Sequence, residues 1–490
     1  MPNPTITDGR ALAEGLDRGA PARVAAALRA SGVPGIGLLH SARGTGEAGL
    51  PGAPGRLGAL GRYSFVAARP LAVARAEPGA DLTLLEGPPE WSPEPGQDPL
   101  AAAAALLERA GRDAPASALP FAGGGLLTLS YDLGRRYEEV PERALAEDLP
   151  PDLHLAVYRR VLCFDHLAGT ATLTGPGPGL EAEEVLAALA QAVPAPLNKS
   201  QGDALPRELD SGSESLDAAA YRAAVAEAQE RIGRGDLFEV NLSRRHVLEG
   251  VDPELLAEAL PRHAAAAYMA DLDLGDRRLF SASPERFLRL DPEGRVESWP
   301  IKGTRARCAD PARDAAAASE LMESAKDAAE LAMITDLVRN DLGRVARPGS
   351  VRVVAPRLLQ SWPTVHHTLS VVAAELAPER SWDDLVRAAF PPGSVTGAPK
   401  VEAMQVIEAL EPVRRGLYCG AFGWVGFDGA LDLAVAIRIA EVKGGRARIH
   451  AGGAILLDSD PSEEELEART KARALLAAAG EARALRKALA

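Results

Sequence analysis

Two pairs of acidic residues have a spacing that could serve a metal ion. Asp327 and Glu330 are three residues apart in a segment predicted as a helix over 319–342, and Glu464 and Glu467 repeat the spacing in a helix near the chain's end. Residues three apart share one helix face, where like charges repel unless a cation neutralises them. Mg²⁺ prefers such carboxylate oxygens. We therefore predict one Mg²⁺ site shared by both pairs; two solvated helix faces are the alternative.

A lysine in a turn at the end of a predicted strand is the candidate nucleophile. Lys302 lies in the segment Trp-Pro-Ile-Lys-Gly-Thr-Arg at 299–305, where a bend could aim its side chain into a cleft. A desolvated lysine whose pKa has fallen can attack carbon and form a covalent intermediate. From this segment alone, an ordinary loop lysine is the commoner alternative.

Further along, an arginine and a glycine pair could bind an anion. Arg438 interrupts the apolar segment 433–439, which is predicted as a strand with a buried or half-buried face. A guanidinium in that setting needs an anion, either a carboxylate of the chain or one of a substrate. Gly452 and Gly453 offer bare backbone N–H groups for an anion, although such a pair is most often a turn.

Two more positions could move protons. His367, in the pair His366-His367, is a candidate acid or base because histidine titrates near neutral pH; a packed core histidine is the alternative. Glu285 follows a proline and leads into a predicted strand, and a glutamate in such a segment is ordinarily a surface residue.

The elements that must position these residues form a mixed pattern without regular β-α-β alternation, which predicts an α+β fold. The segment 11–30 is predicted largely as a helix interrupted at 19–21. Residues 194–215 are rich in Pro, Asp, Ser and Gly and are predicted as a linker between an N-terminal region, 1–193, and a catalytic region, 216–490. Ser215 is the predicted cap of a helix over 216–233.

Composition narrows the functional classes. The chain has 490 residues with 54 Lys and Arg against 68 Asp and Glu, a net charge of −14, which argues against nucleic-acid binding. Its three cysteines, Cys163, Cys308 and Cys419, contain no Cys-x-x-Cys pair, which argues against a disulfide framework or a zinc site. No apolar run reaches membrane length and the first residues lack an apolar signal core. We expect a cytoplasmic protein without a membrane partner.

These segments, taken in order, resemble the chorismate-utilising enzymes. The resemblance runs from about Leu216 to the end of the chain and is specific because many motifs match in sequence order. They are Phe-Glu-Val-Asn-Leu-Ser-Arg (238–244), Ser-Pro-Glu (283–285), Pro-Ile-Lys-Gly-Thr-Arg (300–305), Asp-Leu-Val-Arg-Asn-Asp-Leu-Gly-Arg (336–344), Gly-Ser-Val-Thr-Gly-Ala-Pro-Lys (393–400) and Asp458-Ser459 with the terminal glutamates. The N-terminal region is a weaker match to the synthases that use ammonia. The resemblance implies two layered antiparallel sheets flanked by helices.

The resemblance also implies roles. Glu330 and Glu467 match Mg²⁺ ligands, with Asp327 and Glu464 beside them, and the metal would hold the ring carboxylate of chorismate. Glu285 matches the general acid that protonates the departing 4-hydroxyl, and His367 matches a histidine near the ring. The enolpyruvyl carboxylate and the rest of the substrate are expected to contact Arg438, Tyr418, Lys471, Ser394, Gly452 and Gly453.

Lys302 separates branches of this family. Aminodeoxychorismate synthases have Pro-Ile-Lys-Gly-Thr as this chain does, whereas anthranilate synthases have alanine at the lysine position. The resemblance therefore implies amination of chorismate at C4 through an adduct of Lys302, for 4-aminobenzoate and folate synthesis. Glu239 departs from that branch, which usually has glutamine there. Salicylate synthases have a water-activating lysine, so a base role for Glu239 and some water chemistry stay open.

A source of ammonia is not evident in the chain. None of the three cysteines lies in a Gly-x-Cys-x-Gly elbow, so ammonia is expected from solution or from a separate glutamine amidotransferase subunit. Two other functions stay open: an anthranilate synthase component, with the same metal and carboxylate sites, and a catalytically silent scaffold that senses an amino acid in the N-terminal half. The acidic pairs and Lys302 argue against a protein without catalytic activity.

Overall fold

A computed structural model describes residues 11–14, 16–41, 61–115, 117–175, 177–191, 212–362 and 365–489. Ten helices in these ranges are α1 (Ala20–Ala30), α2 (Pro99–Gly111), α3 (Ala182–Gln191), α4 (Ala218–Gly233), α5 (Pro253–His263), α6 (Pro311–Glu323), α7 (Ala325–Gly343), α8 (Trp382–Ala389), α9 (Lys400–Leu410) and α10 (Pro461–Leu489). No helix in the described part of the chain is long and apolar enough to cross a membrane.

The strands, in chain order, are β1 (Ala11–Glu14), β2 (Gly37–His40), β3 (Tyr63–Ala67), β4 (Ala72–Ala76), β5 (Leu82–Glu86), β6 (Gly124–Leu129), β7 (Leu153–Tyr158), β8 (Val161–Asp165), β9 (Thr170–Thr174), β10 (Ser213–Glu214), β11 (Glu239–Glu249), β12 (Tyr268–Asp273), β13 (Arg278–Ser283), β14 (Arg286–Leu290), β15 (Arg295–Trp299), β16 (Ile301–Ala306), β17 (Arg352–Ser361), β18 (Val365–Glu375), β19 (Gly397–Ala398), β20 (Ala421–Gly426), β21 (Leu431–Val435), β22 (Ile439–Lys443) and β23 (Arg446–Ile455).

These strands form two antiparallel sheets. The first has the order β1-β9-β8-β3-β2-β12-β13-β22-β23-β11-β10, with β19 also paired to β11. The second has the order β16-β18-β15-β14-β21-β20-β6-β7-β4-β5, with β17 also paired to β18. The predicted architecture, α+β with two layered antiparallel sheets and flanking helices, is confirmed.

Strands from the two sides of the predicted linker complete each other's sheets. In the first sheet β2 pairs with β12, placing Leu39 opposite Ala270, and in the second β6 pairs with β20, placing Leu127 opposite Gly423. Most of the linker lies outside the described residues. Among the described residues, the two predicted regions therefore share both sheets, and the boundary at 194–215 stays a prediction.

The largest core lies between the two sheets, and smaller cores lie under helices. Leu39 and Leu272 of the first sheet and Leu127, Leu155 and Leu433 of the second belong to one buried cluster. A second cluster joins α5 and α10 to the first sheet, and a third joins α1 and α3 to the far end of that sheet. The C-terminal helix is therefore fixed against β23, the strand that carries the glycine pair.

Several local predictions need correction. The helix predicted over 319–342 is two helices, because Ser324 ends α6 and its side chain accepts a hydrogen bond from the Asp327 N–H at the start of α7. The cap of α4 is Asp217, which accepts from Ala220; Ser215 instead accepts from the Arg245 N–H. A side-chain acceptor two residues nearer the first turn satisfies the helix better than the predicted serine.

Two predicted elements also differ from the structure. Ala11–Glu14, predicted as helix, is strand β1, because pairing with β9 overrides the helical preference of its alanine and leucine. The strand predicted over 433–439 is broken: β21 ends at Val435, and Arg438 has φ +49° before β22 begins. A left-handed residue cannot continue a strand.

Candidate active site

The predicted site residues are brought together from both sheets and two helices. The first sheet contributes Glu239 at the start of β11 and Gly452 and Gly453 in β23, and the second contributes Lys302 in β16 and His367 in β18. The helices α7 and α10 supply the four carboxylates. This arrangement brings Lys302 into contact with Glu239, which lies 63 positions earlier in the sequence.

Lys302 lies at the centre of a buried charge cluster. Its ammonium is 2.6 Å from the Glu239 carboxylate and 2.7 Å from that of Glu330, and the three side chains are 7%, 0% and 12% exposed. Burial lowers the pKa of Lys302, but Glu239 and Glu330 outweigh it and hold that pKa above its usual value. The lysine is therefore an ammonium before substrate binds, contrary to the lowered pKa that the covalent route requires.

The backbone beside Lys302 explains why glycine follows it. Gly303 has φ +77° at a bulge in the pairing of β16 with β18. A Cβ there would lie 2.9 Å from Asp327 Oδ1 and from Leu321 Cδ1. The bulge turns Lys302 inward, and only glycine combines this φ with the close approach of α7.

Glu285 is buried, unlike the surface residue that its segment alone predicts. It is 4% exposed, between β13 and β14. Burial raises the pKa of Glu285 to about 7, although the hydrogen bond from Ser394, the charge of Lys302 and the N–H of Ile301 each favour the carboxylate. A carboxyl group with this pKa can hold a proton at neutral pH and donate it, as a general acid must.

Arg438 and His367 form the cationic and neutral parts of the site. Arg438 is half-buried, and burial lowers its pKa without a carboxylate among the described residues to offset it. His367 is buried with Nδ1 3.1 Å from Thr304 Oγ1. Burial, together with the nearby charge of Arg438, lowers the pKa of His367 to about 3, so its ring is neutral at physiological pH. An unpaired guanidinium beside a neutral imidazole can accept an anion.

The start of α10 faces the glycine pair of β23. Lys471 pairs with Glu467 at 2.6 Å, and Glu464 accepts a hydrogen bond of 2.7 Å from Ser459. A Cβ added at Gly453 would lie 3.2 Å from Glu464 Oε2, 3.6 Å from Glu467 Oε1 and 3.8 Å from Lys471 Nζ. Glycine at 453 therefore keeps open the space on which these charges converge.

The four carboxylates predicted as metal ligands have protein partners in this structure. Those partners are Lys302 for Glu330, Lys471 for Glu467, Ser459 for Glu464 and Arg305, at 3.0 Å, for Asp327. Within the described ranges, no three His, Cys, Asp or Glu side chains form a metal site. The donor chemistry nevertheless fits Mg²⁺, since two carboxylates converge on the space at Gly453. The ligand set stays a prediction.

The remaining predicted residues have different surroundings. Ser394 lies in a short 3-10 helix, Gly393–Val395, and hydrogen-bonds Glu285. Tyr418 is buried and stacks on His450 of β23 with ring centroids 5.2 Å apart. A Cβ at Gly452 would meet the Leu242 carbonyl at 1.8 Å, so this glycine serves the pairing of β11 with β23.

Two residues of the site were missed in the sequence. Asn241 Nδ2 donates to Glu239 Oε1 at 3.3 Å, and Thr304 contacts His367 as described above. Asn241 lies two residues after Glu239, and Thr304 two after Lys302. The period of two along a strand places Glu239 and Asn241 on one face and could have indicated Asn241. The bulge at Gly303 breaks that period between Lys302 and Thr304, so Thr304 could not be predicted in this way.

The fold and this site together define the class of enzyme that uses chorismate. The family model described as chorismate binding enzyme matches residues 62–477, and the chain belongs to that family. It is 37% identical over 418 residues, 85% of this chain and 90% of the relative, to an aminodeoxychorismate synthase component 1 from Klebsiella aerogenes. It is 40% identical over 365 residues, 73% of this chain and 78% of the relative, to an anthranilate synthase component 1 from Thermus thermophilus.

A solved structure agrees with these relationships. Anthranilate synthase component I from Streptococcus pneumoniae superposes with a TM-score of 0.69 and 29% identity, over 89% of this chain and 95% of that chain. Both kinds of synthase are thus similar to this chain along most of its length, and the choice between them depends on the residues of the site.

Proposed function

We propose that this protein aminates chorismate at C4 with ammonia, giving 4-amino-4-deoxychorismate for 4-aminobenzoate and folate synthesis. The observation that carries the proposal is Lys302, a buried lysine between Glu239 and Glu330 in the position of the expected nucleophile. Relatives named aminodeoxychorismate synthase component 1 support it, with 37% identity over most of their length. The anthranilate synthase alternative has support from the Thermus relative.

Binding of chorismate uses two cations beside the site: Arg438 has no carboxylate partner among the described residues, and Lys471 is paired with Glu467. The unpaired guanidinium of Arg438 and the ammonium of Lys471 are suited to the enolpyruvyl carboxylate, with backbone N–H groups of Gly452 and Gly453 and the hydroxyl of Tyr418 as further donors. Mg²⁺ held by Glu330 and Glu467, with Glu464 and Asp327 beside them, would supply the charge for the ring carboxylate. His367, which is neutral, lies beside these groups in the site and adds no charge to it.

The first chemical step replaces a C–O bond by a C–N bond to the protein. Lys302 gives its proton to the neighbouring carboxylate of Glu239, whose pKa is raised by burial, and its nitrogen bonds to ring C2. The two ring double bonds shift, the C4–O bond breaks, and the hydroxyl leaves as water with the proton of Glu285. A carboxyl group whose pKa is about 7 holds that proton at neutral pH.

The second step reverses these bond changes with ammonia. Ammonia bonds to C4, the double bonds shift back, the bond between C2 and the lysine nitrogen breaks, and Lys302 is regenerated. The product keeps its enolpyruvyl ether, so no pyruvate is released. Loss of that ether with aromatisation of the ring would give 4-aminobenzoate, whereas anthranilate requires that ammonia, and not the lysine nitrogen, bond to C2 before pyruvate is lost.

The proposal includes a separate supplier of ammonia and a reducing compartment. The name component 1 in the relatives implies a second component, which we infer to be a glutamine amidotransferase subunit. The cysteines Cys163, Cys308 and Cys419 are free, which suits the cytoplasm.

The test is product analysis with a trapped intermediate. The protein is incubated with chorismate, Mg²⁺ and ammonium, and products are separated by mass spectrometry; aminodeoxychorismate is expected, and anthranilate with pyruvate would identify the alternative. Without ammonia, a ring-derived adduct is expected on the peptide that contains Lys302. Lys302→Ala should lose it, whereas Lys443→Ala, which alters a surface lysine paired with Asp148, should keep it.

A catalytically silent scaffold would give neither product nor adduct. With glutamine in place of ammonium, the purified chain should yield no aminated product until an amidotransferase is added. Turnover of glutamine by the chain alone would contradict the proposed partner.

A further inference from the structure

A small cavity lies beside Glu285. It has a volume of about 20 Å³, and its wall includes Glu285, Ser298, Asp341 and Ser394 among apolar side chains such as Val338 and Leu342. About 10–15 Å³ of this kind of volume suffices for one water, provided that polar partners are present. The cavity therefore has the size for a single water molecule.

Two carboxyl groups flank this cavity from opposite elements. The carboxyl of Glu285 accepts hydrogen bonds from Ser394 and from the Ile301 N–H. Asp341, on α7, has its Oδ2 4.0 Å from where a Cβ at Gly393 would stand. Gly393 and Ser394 are adjacent and both line the cavity, so Asp341 lies near one residue of that dipeptide and Glu285 near the other.

Asp341 connects the cavity to Lys400, a lysine that is partly exposed to solvent. It is 5% exposed, and its Oδ2 accepts a hydrogen bond of 2.8 Å from Lys400, whose side chain is 11% exposed. Lys400 also donates to the Ala389 carbonyl at 2.8 Å. Asp341 and Lys400 come from two sequence motifs, 336–344 and 393–400, and the proposed chemistry gives neither of these two residues a role.

The charges around the two carboxyl groups allow each to take and release a proton. Burial raises the pKa of Asp341, and the charge of Lys400 opposes that shift. The other charged groups that act on Asp341 are Arg344 and Glu138, and those that act on Glu285 are Lys302 and Lys471. Neither carboxyl group contacts a predicted metal ligand directly.

We propose that one water in this cavity links Glu285 to Asp341 and returns the proton that Glu285 gives to the departing hydroxyl. The inference rests on the proposed function. The carboxylate of Glu285 takes a proton from the water, the water takes one from the carboxyl of Asp341, and Asp341 recovers one from solvent beside Lys400. One proton enters for each one that leaves, so the relay is balanced, and Asp341 is a positioning residue that acts through Glu285.

The experiment compares three variants in the full chain. Asp341→Asn removes the ionisable end of the relay, and Val338→Ile adds one methyl group to the cavity wall without changing any charge. Val345→Ile is the matched control, because Val345 is a buried valine that does not line the cavity. We measure kcat and KM for chorismate, the solvent deuterium isotope effect on kcat, and the infrared band of the protonated Glu285 carboxyl, assigned by its loss in Glu285→Gln.

Both Asp341→Asn and Val338→Ile should lower kcat at least about tenfold with KM within about twofold, and should raise the solvent isotope effect. In the unliganded protein, Val338→Ile should shift the Glu285 band to higher frequency, because a hydrogen bond from water is lost. Val345→Ile should change none of these. An unshifted band with wild-type kcat in Val338→Ile would overturn the relay, as would an unchanged isotope effect in both variants.

A failure of the proposed function can be distinguished from a failure of the relay. If the wild-type chain made no aminated product, that function would be wrong, and the infrared band would still report on the water in unliganded protein. If Asp341→Asn does not fold, Val338→Ile alone tests the relay, because both the kinetic measurements and the infrared band can be recorded for that variant.

Discussion

The ammonium of Lys302 lies 2.6 Å from the carboxylate of Glu239, and the two buried side chains join the two sheets at the candidate active site. Glu239 belongs to β11 of the first sheet and Lys302 to β16 of the second. Glu239 Oε2 has no hydrogen-bond partner among the residues that the structure describes, so Lys302 is the main compensation for a carboxylate removed from water. The nucleophile proposed for catalysis is thus also part of what holds the site together.

Removing Lys302 should therefore affect stability as well as chemistry. Lys302→Ala leaves the carboxylates of Glu239 and Glu330 buried without their ammonium, and we expect a loss of about 3–5 kcal/mol in the free energy of unfolding. Glu239→Gln added to Lys302→Ala should recover part of that loss, because one uncompensated charge is removed. Urea unfolding of the single and double variants gives the coupling.

Additive effects of the two substitutions would mean that the pair is not energetically coupled. Residual amination by folded Lys302→Ala would be compatible with direct attack of ammonia on C4. Full activity in that variant would limit Lys302 to a structural role.

The proton on Glu285 should set the upper limit of the pH range. Because burial raises the pKa of Glu285 to about 7, its proton-donating form dominates below that pH and is lost as pH rises through it. We expect kcat to fall with rising pH above about 7, by roughly tenfold per unit when proton donation limits the rate. Glu285→Gln should be nearly inactive at every pH, with chorismate binding retained. A wild-type kcat that is flat from pH 6 to 9 would contradict the acid role.

The predicted metal ligands can be tested by binding as well as by activity. Glu330→Ala and Glu467→Ala should abolish turnover at limiting Mg²⁺ and weaken Mg²⁺ binding in calorimetric titration, because each removes one carboxylate. Glu463→Ala is the control, since Glu463 is exposed in the same turn of α10 and is not a predicted ligand. Chelation of Mg²⁺ should remove wild-type activity reversibly. Near-normal activity of either ligand variant would reject the assignment.

The fold could be predicted from the sequence because its motifs occur in the same order as those of a known family. Some local elements could not be predicted, because contacts with distant parts of the chain determine them. Ala11–Glu14 has helical composition and forms a strand only because β9 lies beside it. Arg438 has an ordinary strand context, yet its left-handed backbone breaks the strand. These are tertiary effects, which override local propensity.

The site was predicted as a set of residues but not as a set of pairings. The spacing of Asp327 and Glu330 indicated that they share one helix face. In the structure Arg305 and Lys302 of β16 neutralise these two carboxylates. The sequence does not show how β16 is placed against α7, so these pairings could not be predicted. Likewise, the segment around Glu285 indicated a surface residue. Glu285 is buried because the adjoining strand β14 pairs with β21, which lies more than 100 residues further along the chain. Long-range pairing is the information that one sequence lacks.

Buried histidines should make the protein sensitive to acid. Burial lowers the pKa of His154 to about 4 and that of His40 to about 3, as it does for His367. The unfolded chain binds these protons below pH 6.5 and the folded chain does not, so stability is lost as pH falls from about 6.5 towards 4. Each histidine should contribute up to about 1.4 kcal/mol per pH unit in that window.

The measurement is urea unfolding at several pH values between 4.5 and 7.5. His154→Gln should reduce the dependence on pH by up to one proton, because glutamine does not titrate. An identical slope in that variant would mean that His154 is protonated in the folded protein as well.

The last prediction compares the two adjacent glycines of β23. Gly453→Ala places a methyl group 3.2 Å from Glu464 Oε2 and 3.6 Å from Glu467 Oε1, in the space on which the charges of α10 converge. The flexible ends of these side chains can move, so we expect a folded protein whose free energy of unfolding changes by less than about 1 kcal/mol. Its affinity for Mg²⁺ and its KM for chorismate should worsen, by about tenfold or more.

Gly452→Ala should behave in the opposite way, because its Cβ would lie 1.8 Å from the backbone carbonyl of Leu242 and a strand cannot yield as a side chain does. We expect that variant to lose several kcal/mol of stability or to fail to fold, since β11 and β23 would have to separate. Circular dichroism and urea unfolding report the fold, while calorimetry with Mg²⁺ and initial rates with chorismate report the site. If Gly453→Ala bound Mg²⁺ and chorismate like the wild type, the space beside Gly453 would not belong to the ligand-binding site, and both Glu464 and Glu467 would lose their proposed role.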